Sequence, residues 1–126
     1  MTSAADRWAE QARYDLATAR AMMESGRYLY VLFCCQQAVE KMLKALIAKR
    51  TQDLPPRLHQ LMRLAEAAGI IVEEKRADFL RELSAYYIQT RYPEEIVGMG
   101  SEVKEGVARE ILMQTEEVIL WLESMW

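Results

Sequence analysis

Leu32-Phe33-Cys34-Cys35-Gln36-Gln37-Ala38-Val39-Glu40-Lys41-Met42-Leu43-Lys44-Ala45-Leu46 is the stretch that decides the fold. At 100° per residue, Gln36, Gln37, Glu40, Lys41 and Lys44 fall within a sector of roughly 140°, and the remaining positions are almost all apolar. A helix this apolar is central to whatever surrounds it. Its polar strip must then meet solvent through a gap between neighbouring helices, or line a site.

Working outward, five helical segments and no strand are predicted. In the first, Ala5, Trp8, Ala12, Leu16, Ala19 and Met23 recur at spacings of three and four, with Ser3 as N-cap, Asp6 three residues on, and Gly26 closing the segment. The second runs from Tyr28 to Lys49. Its tight connection through Gly26 predicts an antiparallel hairpin with the first. Leu54-Pro55-Pro56 forces an extended turn, and a shorter helix is expected from Leu58 to Ala68, with Leu58, Leu61, Met62 and Ala65 on one face. A fourth spans Glu73 to Thr90 or Arg91, carries Phe79, Leu80, Leu83, Tyr86 and Tyr87 inward, and is stopped by Pro93. The last is capped by Ser101 and has Val103, Val107, Ile111, Val118, Leu122 and Met125 as core positions. Four long amphipathic helices and one short one, joined by short links, imply an all-α, up-and-down four-helix bundle with an additional short helix. Residues 1–126 are read as one domain, since a chain of 126 residues has enough length for one core and too little for two.

Composition narrows the function classes. The first residues lack a basic region followed by an apolar run, and the longest apolar stretch, Tyr28 to Cys35, is far short of the roughly 20 residues a membrane span needs. A cytoplasmic protein with no membrane contact is expected. Cys34 and Cys35 are adjacent on one helix, poorly placed to bridge each other or share a metal, and read as small hydrophobes of a reducing compartment. Net charge is only −3, with a basic edge between Lys41 and Arg63 and an acidic last helix between Glu102 and Glu123. A bulk nucleic-acid binder would be more basic. Lys49 and Arg50, at a helix C-terminus, complement the helix dipole. There is no Gly-rich phosphate loop, nucleophile elbow or ligand-spaced His/Cys set, so no metal and no cofactor is implied.

The run from Phe33 to Leu46 resembles the signature of the HEPN family of small helical-bundle domains. Trp8, Ala12, Asp15-Leu16 and Ala19, then Leu58-His59-Gln60-Leu61 after the Pro-Pro turn, then Tyr87 with Arg91-Tyr92-Pro93, match the family pattern in order over nearly the whole chain. The resemblance implies one of several roles. Many members work with a minimal nucleotidyltransferase as a toxin–antitoxin pair, others are metal-independent ribonucleases, and others are nucleotide-binding appendages. The ribonuclease branch needs an arginine followed, after four to six residues, by a histidine: a cation for the phosphorane's charge and a group to move the 2′-hydroxyl proton. After Arg91 those positions hold Ile96, Val97 and Gly98, and upstream of His59, the sole histidine, they hold Leu54, Asp53 and Gln52. The dyad is missing, and no catalytic residue is assigned.

Candidate ligand- or partner-binding residues are therefore Gln36, Gln37, Lys41 and Lys44 of the strip with Tyr87, Arg91 and Tyr92. Arg91 has two readings. It could grip a phosphate with Tyr87 or Tyr92 stacking on a base, or pair with Asp15 or Glu40; Glu94 and Glu95 would repel a phosphate facing the same way, which favours pairing. His59 is read as structural, hydrogen-bonding the start of the third helix. Three functions follow. The preferred one is a non-catalytic module that dimerises and binds a nucleotide or docks a minimal nucleotidyltransferase. The others are a ribonuclease acting on RNA through a divergent site, and a passive dimeric scaffold. The resemblance implies a homodimer, and Trp121, Leu122 and Trp126, which exceed what one helix face buries, are compatible with it.

Overall fold

The computed structural model describes residues 2–89, 92 and 103–126. Among these there are five helices and no strand: α1 (Ala4–Glu24), α2 (Tyr28–Thr51), α3 (Leu61–Ala67), α4 (Glu74–Gln89) and α5 (Glu105–Glu123). No helix among the described residues is long and apolar enough to cross a membrane.

The start of α1 is the expected capping box. Ser3 Oγ accepts from the Asp6 amide at 3.1 Å, and the Ser3 amide donates back to Asp6 Oδ2 at 3.2 Å, which satisfies two of the amides a helix start leaves over. The helix ends at Gly26, whose φ of 75° lets the Arg27 amide reach back to Met22 O at 2.8 Å. Small side chains at Ala5, Ala9, Ala12 and Ala19 are all buried. They let α1 lie close along α2, its most extensive partner. Trp8 and Met23 flank this seam half-buried.

α2 is the axis of the molecule: it packs against every other helix, whereas α1 touches neither α3 nor α4 among the described residues. Leu32, Cys35, Ala38, Val39, Met42, Leu43, Ala45 and Leu46 are all fully buried, as the sequence predicts. Ion pairs Arg13–Glu123 and Arg20–Glu116 set α5 antiparallel to α1. Tyr28 to Glu105 at one end of α2 and Lys49 to Trp126 at the other set α5 parallel to α2. The connectivity is thus the up-and-down bundle expected.

The starts of the third and the last helix differ from the sequence reading. The third helix begins at Leu61 and not at Leu58, because Gln60 is extended (φ −77°, ψ 114°) and the Leu61 amide is taken by Ser84 Oγ of α4 at 2.9 Å. Tertiary partners outweigh local propensity there. The last helix starts at Glu105 after an extended Lys104, and the expected cap Ser101 lies outside the described residues. Its seam is Ala108, Ile111, Leu112, Thr115, Val118, Ile119 and Leu122, while Val107 is exposed. Admitting the small Ala108 and Thr115 completes a three-and-four spacing, and Val107, in the first turn at the edge of that stripe next to Val118, is left 47% exposed. α4 ends at Gln89 among the described residues; its expected last positions, Thr90 and Arg91, lie outside them.

Candidate functional site

α1 and α4 do not meet, so α2 forms the floor between them, and the polar strip lies on that floor. It is not wetted. Gln36 is 0%, Glu40 5% and Lys44 7% exposed, and ions so placed are costly unless each is paired and hydrogen-bonded. Glu40 provides the solution. Its Oε2 accepts from Lys44 Nζ at 3.2 Å, one turn on, and its Oε1 accepts from Gln36 Nε2 at 3.0 Å and meets His59 Nδ1 at 3.1 Å. Gln36 Oε1 in turn accepts from Gln37 Nε2 at 2.7 Å. The Lys44 ammonium also lies 5.4 Å from the centre of the Trp8 ring, within cation–π range.

His59 comes from the extended segment ahead of α3. An ionised carboxylate only accepts, so the imidazole presents a protonated Nδ1 to Glu40. One ring face lies on Tyr87 of α4, with centroids 4.0 Å apart and planes 13° from parallel. The Tyr87 hydroxyl is 3.0 Å from Nε2. Near-parallel rings leave that oxygen above the imidazole plane, off the lone-pair direction, so the stack and not a directed hydrogen bond describes the contact. The expectation that His59 bonds the start of the third helix is corrected: Ser84 holds that amide, and the imidazole is drawn to a buried carboxylate instead.

On the α1 side, Lys41 Nζ meets Asp15 Oδ2 at 2.8 Å, each side chain about one-fifth exposed. That oxygen is shielded from water and has no hydrogen bond of good geometry, so charge and not direction holds the pair. Beside it is an open cleft of about 610 Å³ lined by Arg7, Glu10, Gln11, Tyr14, Asp15 and Lys41.

Of the candidate residues, Gln36 and Lys44 are buried and hydrogen-bonded to Glu40. Gln37, Lys41 and Tyr87 are half-buried at the rim, and Tyr92 is exposed. Arg91 lies outside the described residues, and so does its proposed pairing; Asp15 and Glu40 have Lys41 and Lys44 as cation partners. Sequence reasoning missed Ser84, although Leu80, Leu83, Ser84 and Tyr87 share one stripe of α4 at three-and-four spacing. It also missed Trp8 as the cover of Lys44.

No group of three His, Cys, Asp or Glu that could hold a metal is found among the described residues. Both cysteines are free; burial pushes the Cys35 thiol up to about 12 and raises Cys34 as well, helped by the Asp15 carboxylate. The C-terminal tryptophans are not the bare excess expected. Arg76 covers Trp121 at 4.4 Å and Lys49 covers Trp126 at 4.0 Å, while Leu122 is fully buried. Trp126 nonetheless remains 39% exposed.

The comparisons with known proteins agree with this architecture. The crystal structure of TT1696 from Thermus thermophilus is similar over 100% of both chains, with a TM-score of 0.80 and 26% sequence identity. No curated protein matches. The model of the HEPN domain matches residues 5–125. On that match, spanning the bundle from the start of α1 to the end of α5, the chain belongs to the HEPN domain family.

Proposed function

We propose that this chain is a non-catalytic binding module of the family, one that forms a homodimer and binds a nucleotide or docks a minimal nucleotidyltransferase, as in toxin–antitoxin pairs. The observation that carries the reading is the buried Glu40 network behind a surface-facing His59–Tyr87 stack. Buried ion pairs contribute little net stability compared with apolar residues of similar volume. A carboxylate retained at such cost is better explained by what it positions, and here that is the single histidine. A non-catalytic role is supported by the sequence: no arginine stands at the dyad spacing from His59. The test is thermal stabilisation. ATP, or a co-expressed minimal nucleotidyltransferase, is expected to raise the melting temperature measurably, and a melt unchanged by both would refute the module.

A second reading rests on one observation. A carboxylate holding Nδ1 of a surface histidine is also the arrangement that orients a general base. If the chain is a ribonuclease with a divergent site, His59→Ala and Arg91→Ala should each abolish RNA cleavage. Cleavage that survives both substitutions rejects this assignment. The passive scaffold predicts no binding at all, and Lys41→Ala then changes nothing but stability.

A further inference from the structure

His59 is held on two sides and is still partly exposed. Nδ1 is fixed at 3.1 Å from a carboxylate that is itself buried, and one ring face lies on Tyr87 at 4.0 Å. Nevertheless 44% of the side chain is exposed. With the Nδ1 edge and one face covered, the second face is where a planar ligand could lie. A flat ring whose orientation is already fixed loses little freedom when another ring is laid on it. Stacking on such a platform is how proteins take up single bases.

Charge decides which part of a ligand is recognised. Both ammonium groups of the strip are already neutralised, Lys44 by Glu40 and Lys41 by Asp15. A phosphate arriving there would have to displace a carboxylate from its partner and remain beside it. The strip therefore offers no unpaired ammonium group to a ligand lying on the His59 ring. We propose that the second face of His59 stacks an uncharged planar heteroaromatic group, a nucleobase, and that the phosphates of a nucleotide add little to binding. This deepens the nucleotide-binding arm of the proposed function and rests on it.

The experiment is titration of the full chain with adenosine, AMP and ATP, followed by calorimetry or amide chemical shifts, at low and at high salt. Adenosine and ATP are expected to bind within about threefold of each other, with little change between the salt conditions, because no ionic contact is screened. His59→Asn keeps a donor for Glu40 while removing the ring, and is expected to weaken adenosine at least about fivefold with the fold intact by circular dichroism. His59→Phe keeps the flat surface, and is expected to retain most of the affinity. ATP binding about tenfold or more tightly than adenosine, with a steep loss at high salt, would overturn base recognition while leaving the nucleotide reading in place. Adenosine binding unaffected by His59→Asn, or absent up to about 5 mM, would also overturn it. If ATP is silent too, nucleotide binding fails along with it, and only partner docking, tested by co-purification, survives.

Discussion

Glu40 is nearly enclosed on a helix whose other buried side chains are mostly apolar, and three donors converge on its two oxygens. Removing it would strand the Lys44 ammonium, 9% exposed in its side chain, with no counter-charge. Breaking one half of a buried pair costs about 3–5 kcal/mol, whereas replacing both halves with apolar groups of similar size is often neutral or better. Glu40→Ala should therefore lower the free energy of unfolding by about 3–5 kcal/mol in urea titration, and Glu40→Met with Lys44→Met should recover most of it. The double variant is also informative about function. It leaves His59 without its Nδ1 acceptor on a fold that remains stable, so any ligand-induced melting shift should weaken although the bundle is sound. Equal destabilisation of the single and double variants would mean that the network is held by shape and not by charge.

The helix ends carry a different prediction. Asp6 closes the capping box of α1, and its carboxyl is held below its ordinary value of 3.8 by hydrogen bonding to the Ser3 amide and hydroxyl, against a smaller opposing effect of desolvation. A depressed folded-state value means that the ionised form is favoured on folding. The contribution is present above pH 3.8 and disappears as pH falls through the lower folded value. Asp6→Asn should accordingly be less stable than the parent at neutral pH, and the two should converge in acid below both values, as read by chemical denaturation across pH. A deficit that persists in acid would assign the effect to the neutral Ser3–Asp6 amide bond instead. At this scale the sequence was informative wherever a local rule operates: Ser3 with Asp6, Gly26 after α1, and the apolar period of α2 each need only neighbours within a turn. It was uninformative where a distant partner decides. The Leu61 amide is satisfied by Ser84 and His59 by Glu40, 23 and 19 residues away in the chain, and no propensity at Leu58 or Gln60 anticipates either. Val107 was misassigned because its spacing from Ile111 and Val118 suggested a core position, whereas at the start of α5 on the edge of the stripe it is left exposed.

For the molecule as a whole, the consequence of α2 lying among all its neighbours is that this helix opens only when the bundle does. Leu43 is fully buried on it, and Leu43→Ala should cost about 2–5 kcal/mol. Leu120→Ala on the outer face of α5, where the side chain is 68% exposed, should stay within about 0.5 kcal/mol. The two cysteines turn this into a kinetic measurement. Cys35 is fully enclosed and its thiol is pushed up to about 12, so a thiol-alkylating reagent at mildly alkaline pH can reach it only through unfolding. When opening and closing are fast relative to alkylation, the labelling rate follows the population of the open state. Leu43→Ala should then accelerate Cys35 alkylation by about 30-fold or more, each 1.4 kcal/mol being tenfold. Cys34, one residue earlier and half-buried, is the internal control: its labelling, slowed by burial and by Asp15, should be little changed by the same substitution. If mass spectrometry finds Cys35 labelled as fast in the parent as in the Leu43→Ala variant, α2 opens locally without global unfolding. A strip on so labile a helix could not hold His59 in place, and the stacking site would lose its support.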